Sequence, residues 1–211
     1  LPGCLQPDVH PGETHAYSDR LTLCHFGSLS NERSLAPLVR AMLAMSAEGS
    51  EIVADINIVL YGTSKDDRTH GLLQANPGSP IHIHDRGRID RIDALAEMQR
   101  ADALLLIHSD GELGPETIPS KVYEYFWIRR PVFAVTNRNP TLDNMVRHYE
   151  GFVCSEHDEA SIVDALNRCH QQWKNRKLNP HHQVPVSVDD AVRQIAAAVD
   201  SIVGADKHTI I

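Results

Sequence analysis

Short apolar runs alternate with stretches of helical period along this chain, and that alternation constrains the fold more than any other feature. Leu21–Phe26, Val53–Tyr61, Ile81–His84, Ala103–His108, Pro131–Val135 and Phe152–Cys154 are strand-length runs. Between them, Leu35, Leu38, Val39, Met42 and Leu43 recur at i, i+3, i+4, i+7 and i+8, one helical face with Ser30 as its expected cap. Asp90–Gln99, Ser120–Arg129, Leu142–Tyr149 and Ala160–Trp173 also read as helices, and 63–80 as a polar connection holding one short helix. After a loop over 174–187, Val188, Val192, Ile195, Ala196, Val199, Ile202 and Val203 mark a terminal amphipathic helix. Strands apolar on both faces and joined by helical crossovers require a parallel sheet covered on both sides. The expected fold is α/β, a doubly wound parallel six-stranded sheet, with ligands at the carboxyl ends of the strands. The functional loops are then 27–33, 62–66, 85–90, 109–120 and 136–141.

Composition narrows the class. The 211 residues suit one large domain with a tail, and 42% apolar content supports a sizeable core. Twenty Lys and Arg against 28 Asp and Glu give a net charge of −8, which argues against duplex nucleic acid or an anionic membrane as partner. A bound anion must therefore be held locally against the global charge. Cys4, Cys24, Cys154 and Cys169 form no C-x-x-C, so a zinc ribbon is excluded, and they read as reduced thiols of a cytosolic compartment. His82-x-His84 and His181-His182 are too few for a closed zinc site, and no metal is expected. Trp127 and Trp173 fall on helices as packing residues. No apolar stretch approaches the ~20 residues of a membrane span. Residues 1–20 begin without methionine, carry Pro2, Pro7 and Pro11, and read as an interdomain linker entered midway. That leaves 21–187 as the folded domain and 188–211 as a terminal helix and tail.

Two loops carry the chemistry. The first is Gly27-Ser28-Leu29-Ser30-Asn31-Glu32-Arg33. Gly27 allows close backbone approach to a ligand, and the helix after it is expected to offer N–H groups to an anion. Arg33, read as lying in the first turn of that helix, opposes the helix dipole unless an anion sits nearby. Pairing with Glu32 or another surface acid is the alternative. No G-x-G-x-x-G occurs, which argues against a nicotinamide dehydrogenase. The second loop runs from Ser109 into a helix at Ser120. Glu116 and Glu124 are eight apart, one before the helix and one inside it, and a carboxylate can accept two hydrogen bonds from vicinal hydroxyls. Ser120 and Lys121 open the helix, where N–H groups and a cation favour phosphate. A solvated capping turn is the alternative.

The stretch Pro115–Val135, PETIPSKVYEYFWIRRPVFAV, resembles the signature helix of the family 4 glycosyltransferases of the GT-B fold. Those are retaining enzymes that use nucleotide-sugar donors, and their E-x7-E pair matches Glu116 and Glu124. HFGSLSNER falls where that family has its glycine loop and two phosphate-facing cations, and HDRGRIDRIDALAEMQRADALLLI resembles a further family segment. The wording is similar to the branch that assembles bacterial surface polysaccharides. The resemblance spans about Leu21 to Ala165. It implies a Rossmann-like domain that is one half of a GT-B architecture, the donor-binding half, with acceptor binding on an absent N-terminal half and 188–203 crossing back to it.

Carried over residue by residue, the resemblance implies that Glu124 accepts from ribose hydroxyls and Glu116 faces the transferred sugar. The amides of Ser120 and Lys121 meet the diphosphate, with Gly27 and Ser28 opposite, and backbone around Gly87, Arg88 and Ile89 borders the base. Arg33 takes the family's lysine position, so Arg33 and Glu116 are the expected catalytic residues. Ser28 stands where the family usually has arginine and Pro119 where many members have glycine; Lys121 is the nearest replacement for the lost charge. The implied ligand is a UDP- or GDP-type sugar, the implied mechanism retaining hexosyl transfer without a metal. The implied location is cytoplasmic, with the missing half able to attach to the inner face of the membrane. Two rival readings stand beside this one: a non-catalytic nucleotide-binding module, and half of a sugar-nucleotide epimerase.

Overall fold

A computed structural model describes residues 16–62, 65–178, 180–181 and 187–206, the last six by backbone alone. Most of the expected linker, Cys4, His182 and the side chains of Ile202 and Val203 lie outside the described residues. The six strands are β1 (Leu21–Gly27), β2 (Ile56–Gly62), β3 (His82–Gly87), β4 (Ala103–Ile107), β5 (Val132–Thr136) and β6 (Phe152–Ser155). They form one parallel sheet in the order β3-β2-β1-β4-β5-β6. The helices are α1 (Ala36–Ala47), α2 (Asp67–Ala75), α3 (Arg91–Arg100), α4 (Lys121–Ile128), α5 (Pro140–His148), α6 (Glu159–Lys174) and α7 (Val188–Asp206). This is the doubly wound α/β sheet expected from the apolar runs.

The crossover helices cover both faces because alternate strand residues feed two cores. Leu21, Leu23, Ile58, Leu105 and Phe133 pack with Leu38 and Met42 of α1 and Leu166 of α6. Cys24, Phe26, Leu104, Leu106 and Ala134 pack with Leu95 of α3, Tyr125 and Phe126 of α4, and Leu142 of α5. Burial pushes the thiol of Cys24 up to about 12, so it stays protonated and packs as a small apolar group. The sheet order reverses between β1 and β4, and that switch point opens a crevice at the carboxyl end of the sheet.

Three local expectations need correction. Val53–Asp55 belongs to a 3-10 turn, Glu51–Asp55, and not to β2. The carboxylate of Asp55 leaves the sheet for α6, meeting His170 at 2.9 Å and Lys174 at 3.0 Å. Ser30 does not cap α1. It exchanges backbone hydrogen bonds with Arg33 (3.1 and 3.0 Å), closing a tight loop that ends before the helix begins. Arg33 accordingly precedes α1 and does not lie in its first turn. At the far end, Val192, Ile195 and Val199 of α7 are more than half exposed, so this part of its apolar stripe is not packed on the other described residues. The described end of the linker is docked, with Tyr17 against the first core under the Arg176 guanidinium, 4.8 Å from ring centroid to Cζ.

Candidate functional site

The crevice divides into two connected spaces. The larger, about 560 Å³, lies between β1, β2, α3 and α4 and includes Gly27, Ser28, Tyr61, Arg88, Ile89 and Arg91 in its lining. The deeper, about 330 Å³, runs between β1 and the start of α4, past His25, Arg33 and Ser120. Gly27, Ser28 and Lys121 border both.

Gly27 and Gly62 make the junction possible. They are register partners at the ends of β1 and β2. A Cβ on Gly62 would stand 2.4 Å from the Gly27 carbonyl oxygen, so nothing larger than hydrogen fits. Gly27 has φ +140°, and the place of its absent Cβ lies 3.3 Å from Lys121 Nζ. The Lys121 ammonium thus fills the space over the first loop's glycine. The Phe26 amide donates to the Tyr125 hydroxyl at 3.2 Å, tying β1 to α4 and holding this approach.

The electrostatics are concentrated. Burial is the main cause holding Lys121 below the ordinary lysine range, with Arg33 and Arg91 pushing the same way and Glu124 opposing. Lys121 therefore sits in the field of two other cations, Arg33 and Arg91, and one carboxylate, Glu124, in a chain of net charge −8. Arg91 meets Glu124 at 2.8 Å, and Arg33 Nε is buried with no hydrogen-bond partner among the described residues. Such an excess of converging positive charge is a ready anion site. Beside it, the larger space has an apolar wall of Phe26, Tyr61, Ile89, Ala94, Leu95 and Met98. Phe26 stacks on Tyr61 at 4.8 Å, and the Tyr61 hydroxyl donates to Glu97 at 2.7 Å.

The two helix N-termini differ. At α4 the Ser120 hydroxyl makes no capping bond. The amides of Val122 and Tyr123 turn back to the carbonyls of Pro119 and Ser120 (3.0 and 3.2 Å). The α1 terminus, expected to receive an anion, is filled by the protein itself. Asp66 accepts from the Ser34 hydroxyl (2.6 Å) and the Leu35 amide (3.1 Å), and from the Thr69 amide and hydroxyl at the start of α2 (3.0 and 2.7 Å). Burial would raise the Asp66 pKa, but these hydrogen bonds outweigh it and hold the carboxyl below its usual range.

The expected residues fall into three groups. Gly27, Ser28, Arg33, Arg88, Ile89, Ser120, Lys121 and Glu124 all line one or both spaces. Gly87 ends β3 at φ +69° just outside them. Glu116 is exposed on a 3-10 turn, Gly114–Glu116, and borders neither space. That turn is anchored from behind, since the Thr117 carbonyl accepts from His108 Nε2 (2.9 Å) and Asn139 Nδ2 (3.0 Å). The Asn137 amide donates to His108 Nδ1, which fixes that tautomer.

Arg91, Tyr61 and His25 belong to the site and were not singled out from the sequence. Arg91 had a readable signal, a cation in the first turn of a helix. His25 had another, a titratable residue inside an otherwise apolar strand.

No family model matches this sequence, and no curated protein does. Solved structures do match in three dimensions. Trehalose-6-phosphate synthase of Burkholderia multivorans superposes with a TM-score of 0.53 at 13% identity, over 90% of this chain and 44% of that one. HepE of Anabaena, solved with UDP and glucose, gives 0.53 at 14% identity over 91% and 49%. The N-terminal domain of trehalose-6-phosphate phosphatase of Candida albicans gives 0.55 at 12% identity over 77% and 36%. The chain spans less than half the length of these structures. It shares the Rossmann-like fold of a domain of those structures. Among the described residues, no helix is long and apolar enough to cross a membrane.

Proposed function

We propose that this chain is the donor-binding domain of a glycosyltransferase that uses a nucleoside-diphosphate sugar. The observation that carries the reading is the convergence of Lys121, Arg33 and Arg91 on a glycine-built junction beside an apolar-walled slot. The base enters the slot, bordered by Gly87, Arg88 and Ile89. The ribose hydroxyls take Glu124 from Arg91, which is freed to face the phosphates. The diphosphate lies over Gly27 and Ser28 against Lys121, Arg33 and the start of α4. Arg33 stabilises charge growing on the leaving β-phosphate, with Lys121 supplying the cation absent at Ser28. Cations and amides do this work without a metal.

In this reading transfer retains the anomeric configuration and moves a hexose in polysaccharide assembly at the cytoplasmic side. Glu116 faces the sugar, an N-terminal half supplies the acceptor site, and α7 crosses back to that half. The exposed stripe on α7 supports the last point. Alone, the domain binds donor without turnover. HepE was solved with UDP, so UDP is the first ligand to test. A thermal-shift panel of UDP, GDP and ADP decides the reading: one of them raises the melting temperature, and indifference to all three overturns it.

A second reading, a nucleotide-binding module without transfer, is favoured by the position of Glu116 outside both spaces. Transfer on addition of an N-terminal half excludes it.

A further inference from the structure

We infer that His25 takes up a proton when a diphosphate enters the deeper space, and that the resulting Nε2–H becomes a direct donor to a phosphate oxygen. This rests on the anion site proposed above and adds a residue and a proton to it.

The geometry begins with the tautomer. His25 is 4% exposed, and its Nδ1 lies 3.0 Å from the Leu105 carbonyl oxygen. A carbonyl only accepts, so Nδ1 carries the hydrogen and Nε2 of the neutral ring is a bare lone pair. Nε2 is buried and has no hydrogen-bond partner among the described residues. The His25 residue lines the deeper space, and its Nε2 stands 3.8 Å from the place of a Gly27 Cβ, with Lys121 Nζ 3.3 Å from that same point. A buried acceptor without a partner is costly and calls for a reason.

The groups facing the ring explain both states. Its register partner on β2 is Leu60 and its neighbour on β4 is Leu105, neither of which titrates. α4 brings Lys121 and the loop after β1 brings Arg33, both cationic. Burial first, then these two charges, lowers the pKa to about 4 against the opposing Leu105 bond, so without an anion beside it the ring is neutral near pH 7. A diphosphate between Arg33 and Lys121 reverses the sign of the field at Nε2. A bare lone pair would then face a phosphate oxygen, which is repulsive. A proton from solvent turns that contact into a charge-assisted hydrogen bond. One N–H bond forms, the buffer loses one proton, and nothing else changes covalently. Arg33, Lys121 and His25 together then present three donors to one anion.

The alternative occupant of Nε2 is a hydroxyl of the transferred sugar, which needs no proton. Calorimetry separates the two. Binding of UDP, GDP and ADP is measured near neutral pH in buffers of different ionisation enthalpy, with wild-type chain and His25→Gln. The wild type takes up to one proton more than the variant, and its affinity weakens by up to about tenfold per pH unit relative to the variant as pH rises. The nucleotide's own ionisation is common to both proteins and cancels. Should His25→Gln not fold, nitrogen NMR of the wild-type imidazoles gives the same answer, one buried ring passing from a bare to a protonated Nε2 on adding nucleotide. Binding with no proton difference, or with no change at that ring, overturns the inference and leaves the donor reading standing. Failure of every diphosphate to bind overturns both.

Discussion

The N-termini of α1 and α4 both open at the carboxyl end of the sheet, after β1 and β4, yet the protein treats them oppositely. At α1 a buried carboxylate, Asp66, takes the place an anion would occupy and caps α2 as well. At α4 the side-chain cap is missing and a cation, Lys121, stands in the first turn against the helix dipole. The first arrangement is complete without a ligand, because every partner of the carboxylate comes from the chain. The second leaves the Arg33 Nε buried without a hydrogen-bond partner among the described residues. Helix N-termini are intrinsically anion sites; whether one is a ligand site depends on whether the fold has already supplied the anion.

The largest expected effect strikes the closed terminus. Asp66→Ala removes four hydrogen bonds and two helix caps, and is expected to cost about 2–4 kcal/mol in urea unfolding. Diphosphate affinity, measured where the variant stays folded, is expected to be unchanged. A large loss of affinity would show that the two termini are not separate in function.

Acid tests the open terminus next. The His25 pKa is depressed from 6.5 to about 4 in the fold. The unfolded chain therefore binds the proton first, and stability falls as pH drops through that window. This group contributes a loss of about 3 kcal/mol between pH 6.5 and 4. His25→Gln removes that part of the slope, and an unaltered pH profile of the melting temperature would refute the buried neutral ring. The depressed Asp66 carboxyl acts at lower pH in the same sense, its stabilisation being lost as pH falls through its own folded pKa.

Arg33→Ala sharpens the comparison from the ligand side. It is expected to weaken nucleoside diphosphate binding by about 1.5–3 kcal/mol and leave the bare nucleoside almost untouched. Equal losses for both ligands in calorimetry would place Arg33 outside the phosphate site. The smallest effect is Glu124→Gln. Its partner Arg91 is 66% exposed, so breaking the pair is expected to cost at most about 1 kcal/mol of stability. The melting shift induced by UDP should fall, whereas Glu116→Gln should alter only the response to an intact nucleotide-sugar. A Glu124→Gln variant with a lower ligand-free melting point and a full ligand-induced shift would rule out a ribose role.

Much of this site was legible in the chain because its residues punctuate elements. Gly27 stops an apolar run, and Ser120, Lys121 and Glu124 open a helix after another, so topology alone sends them to one crevice. Arg33 was found by its charge beside an expected helix start, although that start proved to be Ala36. The role of Asp66 was hidden. Its partners lie 31 and 32 residues away, and a carboxylate before a short helix looks like an ordinary cap until the chain is folded. Glu116 shows the reverse: its spacing to Glu124 places both near one loop, but the 3-10 turn held by His108 and Asn139 turns it outward.

By itself, the sequence determined the parallel sheet, its helical cover and the strand ends at which the crevice opens, because those follow from local period and from burial on two faces. Which helix terminus stays open, which way the Glu116 turn faces, and what stands over Gly27 were decided only by the tertiary structure. Each depends on a side chain delivered from a distant element, and local pattern carries no information about such a delivery.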